Sequence, residues 1–195
     1  MYYVLKDLYD DRNVYVSSPP SFDDWDEIND GESGAMIDKW PKGQTLDFSE
    51  DSPEGMVLTD QITNSFSWLI ASKKFKDLLE KLNLENLEFL PINFLDHKGR
   101  ARKEPYWIVN FTNLISAVNQ KQSIFKKGVG GTLKSFKKLV LLDDVEKNGP
   151  PLFCLKEQPT MFLFRQDLKE KIEKLGLTGF RFKASHEYLS LDPNE

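Results

Sequence analysis

Apolar and polar residues follow the same order in two stretches of the chain that lie 93 positions apart. Residues 80–89 read EKLNLENLEF, and residues 173–182 read EKLGLTGFRF. At this constant offset eight apolar pairs align without a gap, beginning with Trp68 and Met161. A repeated module explains the match. So does the need of any strand–helix–strand unit for these residue types at this spacing, and the sequence leaves both interpretations open.

The shared pattern predicts a strand, a helix and a second strand in each copy. SFSWLIAS alternates apolar and polar residues from Phe66, as in a strand with one buried face. Ser72 then caps a helix, and LEFLPINFL is the next strand. The apolar face of that helix comprises Phe75, Leu78, Leu79 and Leu82. The second copy reads TMFLF, DLKEKIEKL and GFRFK, with Gly176 ending the helix and Arg165 at the position of Ser72.

Further apolar runs predict the remaining strands. They are YYVLKDLY at the start of the chain, YWIVNF, SFKKLVLLDD and GPPLFCLKE. With the two modules, they predict seven to nine strands and two or three helices. We therefore expect an α+β fold with a mixed, mainly antiparallel sheet.

The first third of the chain is rich in turn residues and predicts a long irregular segment. Its isolated apolar residues are expected to tie it to the core: Met36, Ile37, Trp40 and Leu46. The length of 195 residues fits a single domain. In this domain, residues 1–60 are the acidic irregular segment with the first strand, and residues 61–195 are the core.

Composition indicates a protein of the reducing cytoplasm. The chain has no run of 18 apolar residues, and its start lacks the basic and apolar regions of a secretory signal. The one cysteine, Cys154, cannot form an internal disulfide and is expected to be a small buried residue in a strand.

The net charge of −5 conceals a strong asymmetry along the chain. Residues 1–60 hold 15 acidic and 4 basic residues, a net charge of −11, and residues 61–195 have a net charge of +6. Most of the basic excess lies in residues 97–139, where Glu104 is the one acidic residue among ten Lys and Arg. Each part can attract the other, or each can attract a partner of opposite charge.

A search for catalytic and metal-binding patterns finds no catalytic residues, no metal site and no cofactor site. The histidines His97 and His186 have no partner at ligand spacing. A calcium loop starting at Asp26 fails because Ile28 and Ile37 occupy positions that need oxygen ligands.

Two alternatives to a pure protein-binding function remain open from the residues. KKGVGGTLK is rich in glycine, as phosphate-binding loops are, although it lacks the Gly-Lys-Ser/Thr ending and favours a flexible turn. A small-ligand protein for phosphate-bearing molecules, or an uncharacterised enzyme, would use residues 128–132. A nucleic-acid-binding module would use residues 97–139, where aromatic residues are interspersed among basic ones.

The order of landmarks resembles one known family. A YYVL strand precedes GAMIDKWP, then WLIASKKFKDLLE leads through LEFLPINF to YWIVNF. KKLVLL and PLFCL follow, and LKEKIEKLGLTGFRF closes the pattern. Over nearly the whole chain this order resembles the polymorphic-toxin immunity proteins of family eleven. The resemblance implies a bacterial protein that neutralises a cognate toxin by binding and catalyses nothing.

The acidic N-terminal segment is the expected contact surface for that toxin. Its acidic residues would attract a basic, cytoplasm-acting toxin domain, and Trp25 would be the aromatic anchor. The residues of this hypothesis are Asp23, Asp24, Trp25, Asp26, Glu27 and Asp30. The competing interpretation is a solvated loop without a partner.

Overall fold

The computed structural model of the chain describes residues 1–20, 34, 36, 37, 40–128 and 132–189. Across these residues the chain forms twelve β-strands, mostly in antiparallel sheets, and three α-helices, which confirms the α+β fold class. The elements divide into two compact units. Unit 1 comprises Met1–Lys6, Asn113–Glu173 and the chain from Arg181 onward, and unit 2 comprises Asp7–Thr112 and Lys174–Phe180. The single domain over 1–195 stays a prediction, because compactness alone does not decide whether two units fold together.

Unit 2 is built on a four-stranded sheet in the order β3-β6-β7-β5. Its elements are β2 (Tyr15–Val16), β3 (Thr45–Asp47), β4 (Thr63–Asn64), β5 (Ile70–Ser72), α1 (Lys73–Glu80), β6 (Leu87–Leu95) and β7 (Tyr106–Phe111). Strands β5 and β6 are both antiparallel to β7, which lies between them. Ser72 caps α1 as predicted, because its Oγ accepts a hydrogen bond of 3.3 Å from the Phe75 amide.

The predicted strand at SFSWLIAS begins later than its alternation indicates. Strand β5 starts at Ile70, and the preceding residues form a turn in which Ser67 has a φ of 56°. Asn64 holds this turn by accepting a hydrogen bond of 2.9 Å from the Trp68 amide. The rings of Phe66 and Trp68 pack against each other at 4.6 Å, so their alternation reflects a packed turn and not a strand.

Unit 1 is built on a second four-stranded sheet in the order β10-β11-β1-β12. Its elements are β1 (Tyr2–Lys6), β8 (Ile124–Lys127), β9 (Leu133–Lys138), α2 (Asp143–Asn148), β10 (Leu152–Leu155), β11 (Gln158–Arg165), α3 (Gln166–Lys174) and β12 (Arg181–Ala184). Arg165, at the position of Ser72, forms a two-bond ion pair with Asp167 in the first turn of α3. That carboxylate favourably faces the positive end of the helix.

The two sheets share one register. In unit 2, Ile108 of the central strand pairs with Ile70 on one side and Leu90 on the other. In unit 1, Val4 of the central strand pairs with Leu163 and Lys183. Both flanking residues are displaced by the same 93 positions, so the sequence match corresponds to equivalent places in three strands of each sheet. The fourth strand differs, because β10 lies beside β11 whereas β3 lies beside β6.

The equivalence extends to residues that the 93-residue offset does not align. The central strands read YYVLK and YWIVN, and their first residues, Tyr2 and Tyr106, are both buried. The Tyr2 hydroxyl donates to the Pro150 carbonyl at 2.8 Å, and the Tyr106 hydroxyl donates to the Thr59 carbonyl at 2.7 Å. Because a generic strand–helix–strand unit does not require this bond, the repeated-module interpretation is the better supported one.

The central strand of each copy pairs with the strands of the other copy. Each copy reads, in order, a central strand, an insert, a strand–helix–strand module. However, β1 lies between the strands of the second module, and β7 lies between the strands of the first. The opening strand of the chain is therefore the centre of a sheet whose other strands lie more than 140 residues later.

The inserts cover one face of each sheet. The acidic insert, residues 7–58, contributes β3 to the unit 2 sheet and packs Val14, Val16 and Phe48 into its core. The basic insert, residues 113–149, packs Leu133, Phe136, Leu139 and others against the unit 1 sheet. Neighbouring strand residues point to opposite faces, so Trp107 and Tyr3 face away from the inserts. There they lie about 5 Å from the Nζ atoms of Lys76 of α1 and Lys169 of α3, respectively.

Three of the four predicted anchors of the acidic insert are confirmed. Leu46 is buried in β3, and Ile37 and Trp40 pack against the unit 2 core. Met36 is 66% exposed, so its prediction as an anchor is wrong. The amide of Ile37, the next residue, holds this part of the segment by donating to the Glu88 carboxylate.

Candidate interaction surfaces

The described residues do not assemble a catalytic or metal-binding cluster. His97 packs edge-on against Phe48, and His186 lies at the surface near Glu187. Cys154 is buried in β10 as predicted, and its thiol donates to the Pro159 carbonyl. No group of three or more His, Cys, Asp or Glu side chains in the described part of the chain is placed to hold a metal ion.

A shallow groove of about 240 Å³ lies in unit 2, beside α1. Its lining residues are Lys74, Asp77, Leu78, Lys81, Leu175 and Leu177. The volume is below the range of about 300–1,000 Å³ that is typical of small-molecule sites. This groove therefore gives little support to the small-ligand alternative.

The glycine-rich stretch closes a β-hairpin. The Gly128 amide donates to the Thr132 carbonyl at 2.8 Å, between β8 and β9, and residues 129–131 lie outside the described residues. A phosphate-binding loop of the P-loop type leads from a strand into a helix, whereas this one leads into another strand. The pairing of β8 with β9 on either side of this stretch agrees with the turn interpretation of the sequence.

The basic and aromatic residues of the stretch 97–139 serve different purposes. Arg100 forms an ion pair with Asp96, and Arg102 forms one with Glu104. The hydrogen bonds from these arginines lower the pKa of both carboxyl groups below the usual range. The aromatic residues Tyr106, Phe111 and Phe136 are buried. Buried rings cannot stack with bases, so these described aromatics do not form a nucleic-acid platform.

The acidic contact residues predicted from the sequence lie outside the described residues, and hydrogen bonds hold described residues before and after them to unit 2. Strand β2 leads into Ser17, whose carbonyl accepts a hydrogen bond of 2.7 Å from the Ser65 hydroxyl. After the segment, the Trp40 indole donates to the Pro91 carbonyl of β6 at 2.8 Å. Ser17 and Trp40, which precede and follow the segment, are thus fixed to unit 2.

Three exposed apolar residues lie on the same acidic insert and were not predicted from the sequence. Asn13 bridges to Val57, which brings together residues that are 44 positions apart. Tyr9 is 69% exposed, Val57 is 52% exposed and Met56 is 41% exposed. Tyr9 lies in the YYVLKDLY pattern, but β1 ends at Lys6, so Tyr9 is not part of the sheet.

Acidic residues flank these exposed apolar residues along the chain. The Asp10 side chain accepts hydrogen bonds from the Arg12 side chain and amide, which lower the pKa of Asp10 to about 2. Partial burial and the nearby Asp7 carboxylate raise the pKa of Tyr9 above its usual value. Asp11 and Glu54 are exposed. The surface therefore combines negative charge with apolar contact area.

A second charged surface lies on unit 1. Lysines on and beside the hairpin β8–β9 are all exposed: Lys121, Lys126, Lys127, Lys134, Lys137 and Lys138. We call these six residues the hairpin lysines. The two charged surfaces lie on the two inserts, the regions in which the repeated copies differ most.

Comparison with protein families gives a match over most of the chain. Residues 6–187 match the model of the Immunity protein family (Imm11). The chain belongs to the Imm11 family. The resemblance inferred from the order of sequence landmarks is thereby confirmed. A search of curated proteins finds no match to this Imm11 protein. In the described part of the Imm11 chain, no helix is long and apolar enough to cross a membrane.

Proposed function

We propose that this Imm11 protein protects a bacterial cell by binding a cognate toxin and occluding the surface through which the toxin acts. Membership of the immunity family over residues 6–187 is the observation that carries the proposal. The protein catalyses no reaction in this proposal. It acts in the cytoplasm, where its toxin also acts.

The acidic insert is the proposed toxin-binding surface. It holds 14 acidic and 3 basic residues, which favours a basic toxin domain. Ser17 and Trp40, on either side of the acidic contact residues, are held to unit 2 by hydrogen bonds, which favours presentation of the insert at a defined place on that unit. The proposed contacts are Asp23, Asp24, Trp25, Asp26, Glu27 and Asp30.

The exposed apolar residues Tyr9, Met56 and Val57 of the insert extend this surface. Tyr and Trp side chains commonly carry most of the binding energy at protein interfaces, surrounded by polar residues that contribute less. Exposed Tyr9 among carboxylates fits that arrangement. We expect Trp25 and Tyr9 to determine the dissociation rate and the acidic residues to determine the association rate.

Co-expression with the product of the neighbouring gene tests the proposal. The tagged Imm11 protein should form a stable complex with that product, and bacterial growth should stop when the Imm11 protein is omitted. If no complex forms and growth continues without the Imm11 protein, the immunity function is contradicted.

Charge reversal then tests the contact surface. Changing Asp23, Asp24, Asp26 and Glu27 to Lys should slow association with the toxin domain by about tenfold or more at low salt, because steering is lost. The matched control reverses four exposed acidic residues outside the insert: Glu85, Asp143, Glu170 and Glu187. Equal association rates for the two reversed variants would eliminate the acidic segment as the contact.

A further inference from the structure

The hairpin lysines form an uncompensated positive surface. Residues 105–142 contain six lysines and no acidic residue. In the described part of the chain, no carboxylate forms an ion pair with any of these six side chains. By contrast, Lys73, Lys76 and Lys169 on the helices each pair with a carboxylate one turn later.

The hairpin holds these lysines on a rigid support. On its inner side, Leu133 and Phe136 are 1% exposed and pack in the unit 1 core, and Phe125 packs against Phe136 with ring centres 5.9 Å apart. Ser123 fixes the base by accepting from the Val140 amide at 2.9 Å. A partner would therefore meet lysines whose backbone positions are already set.

The placement of two of the lysines opposes folding. Lys126 of β8 lies directly opposite Lys134 of β9 in the antiparallel register. Like charges at directly opposite positions destabilise a sheet, whereas a lysine and a glutamate there would attract. Ile124, beside them and paired with Lys138, is 56% exposed. Folding alone does not explain either feature.

We infer that the hairpin lysines and Ile124 form a second docking surface, which receives an acidic protein surface on the bound toxin. This inference rests on the proposed immunity function and adds a contact that is distinct from the acidic insert. The inserts would then recognise toxin regions of opposite charge, which gives specificity against toxins that carry only one of them.

Protein is favoured over nucleic acid as the occupant by the chemistry of this surface. Residues 103–164 contain no arginine, the side chain that binds phosphate with two parallel hydrogen bonds. The hairpin ring that is closest to solvent, Phe125, is half-buried against Phe136 and is not a free stacking platform. The net charge of −5 also repels a polyanion at long range.

The first test is the single substitution Lys126→Glu, which separates binding from folding. It places a carboxylate opposite Lys134, so we expect Tm to be unchanged or raised. The dissociation constant for the catalytically inactive toxin domain from the neighbouring gene should rise about threefold or more in isothermal titration calorimetry. Unchanged affinity at unchanged or higher Tm would overturn the inference.

The second test reverses three hairpin lysines, Lys126, Lys134 and Lys138, to Glu. We expect the affinity for the toxin domain to fall at least about tenfold. The control reverses three exposed lysines outside both inserts, Lys74, Lys98 and Lys103, and should change the affinity much less. Equal losses in the two variants would overturn the inference, because net charge alone would then explain them.

Zero-length carbodiimide coupling supplies a readout that misfolding does not imitate. Amide links between the hairpin lysines and toxin carboxylates are expected in the wild-type complex by mass spectrometry, and absence of such links would overturn the inference. Binding of the free protein to a DNA duplex, lost on reversal of the hairpin lysines, would also overturn it and assign the surface to nucleic acid. If the wild-type protein does not bind the toxin domain, the proposed function itself is overturned, and this inference with it.

Discussion

Units 1 and 2 share a frame and differ in what covers it. In each, a central strand beginning with a buried tyrosine lies between two strands that a helix connects. The acidic insert covers the sheet of unit 2, and the basic insert covers the sheet of unit 1. The frame must satisfy packing and backbone hydrogen bonds, so its residues are constrained. An insert must satisfy only its inner face, so its outer face is free to acquire charge for a partner.

Matched substitutions at the centre of the two sheets should have the largest effects and test whether the frames are equivalent. Ile70 and Leu163 occupy the same register position and are both fully buried. Ile70→Ala and Leu163→Ala should each reduce the free energy of unfolding by about 3–4 kcal/mol, because each leaves a cavity. Urea unfolding measures the difference. If one of these variants loses several times more free energy of unfolding than the other, the two frames are not equivalent.

The glycines after α3 test where the copies diverge. Gly179 has a φ of 86°, and a Cβ atom there would lie 2.1 Å from the Gln61 carbonyl oxygen. Gly179→Ala should therefore cost about 3 kcal/mol or more, from the clash and the left-handed backbone together. The corresponding residue in the first copy is Asn86, whose φ is not positive, so that position does not require glycine.

Gly176 is the matched control for that substitution. Its φ is 63°, but a Cβ atom would contact nothing within 4 Å, so Gly176→Ala should cost only about 1 kcal/mol. The counterpart in the first copy, Asn83, also has a positive φ, of 48°. Gly176→Asn should consequently be nearly neutral in thermal unfolding. Similar losses for Gly179→Ala and Gly176→Ala would show that the backbone conformation, and not the contact with Gln61, determines the effect.

The buried tyrosines sharpen the comparison at the level of one hydrogen bond. Tyr2→Phe and Tyr106→Phe should each cost about 1–2 kcal/mol, because each leaves a carbonyl without its donor. Chemical denaturation of the two variants at neutral pH measures this cost. If neither variant loses stability, the shared hydroxyl bond is incidental to the frame.

Alkaline titration provides an independent measurement on the same residues. Burial raises the pKa of Tyr2 to about 12 and moves the pKa of Tyr106 still further above its usual value. In the unfolded chain both hydroxyls ionise near pH 10, so the unfolded state binds fewer protons above that pH. Stability should be unaffected by these groups below pH 10 and should fall from there towards pH 12. The two Phe variants should show a shallower fall than the wild type.

The lysines above the central strands should give the smallest effect. Lys76 and Lys169 are equivalent, and each lies over an aromatic ring and pairs with a glutamate one turn later. Lys76→Met and Lys169→Met keep the aliphatic contact and remove the charge, so each should cost about 0.5 kcal/mol. High salt should reduce the cost, because it screens exposed pairs. A cost that does not change with salt would assign the effect to packing.

Several features of the protein followed from the sequence alone because they depend on neighbouring residues. The helix at Lys73–Glu80 follows from the spacing of Phe75 and Leu79 and from the cap at Ser72, all within one short segment. Local patterns also predicted the strand at Tyr106–Phe111 and the burial of Cys154. The order of such patterns along the chain predicted the family. The opposite charges of the two inserts can be counted directly from the composition.

Only the tertiary structure decided what depends on pairing between distant segments. Strand alternation is the same whichever neighbour a strand acquires, so the sequence could not place β1 between β11 and β12. For the same reason, the sequence could not predict the bridge from Asn13 to Val57 or the pairing of Lys126 with Lys134. The repeated spacing indicated two similar modules. Their shared register and matching tyrosine bonds, which support duplication, exist only when the sheets have formed.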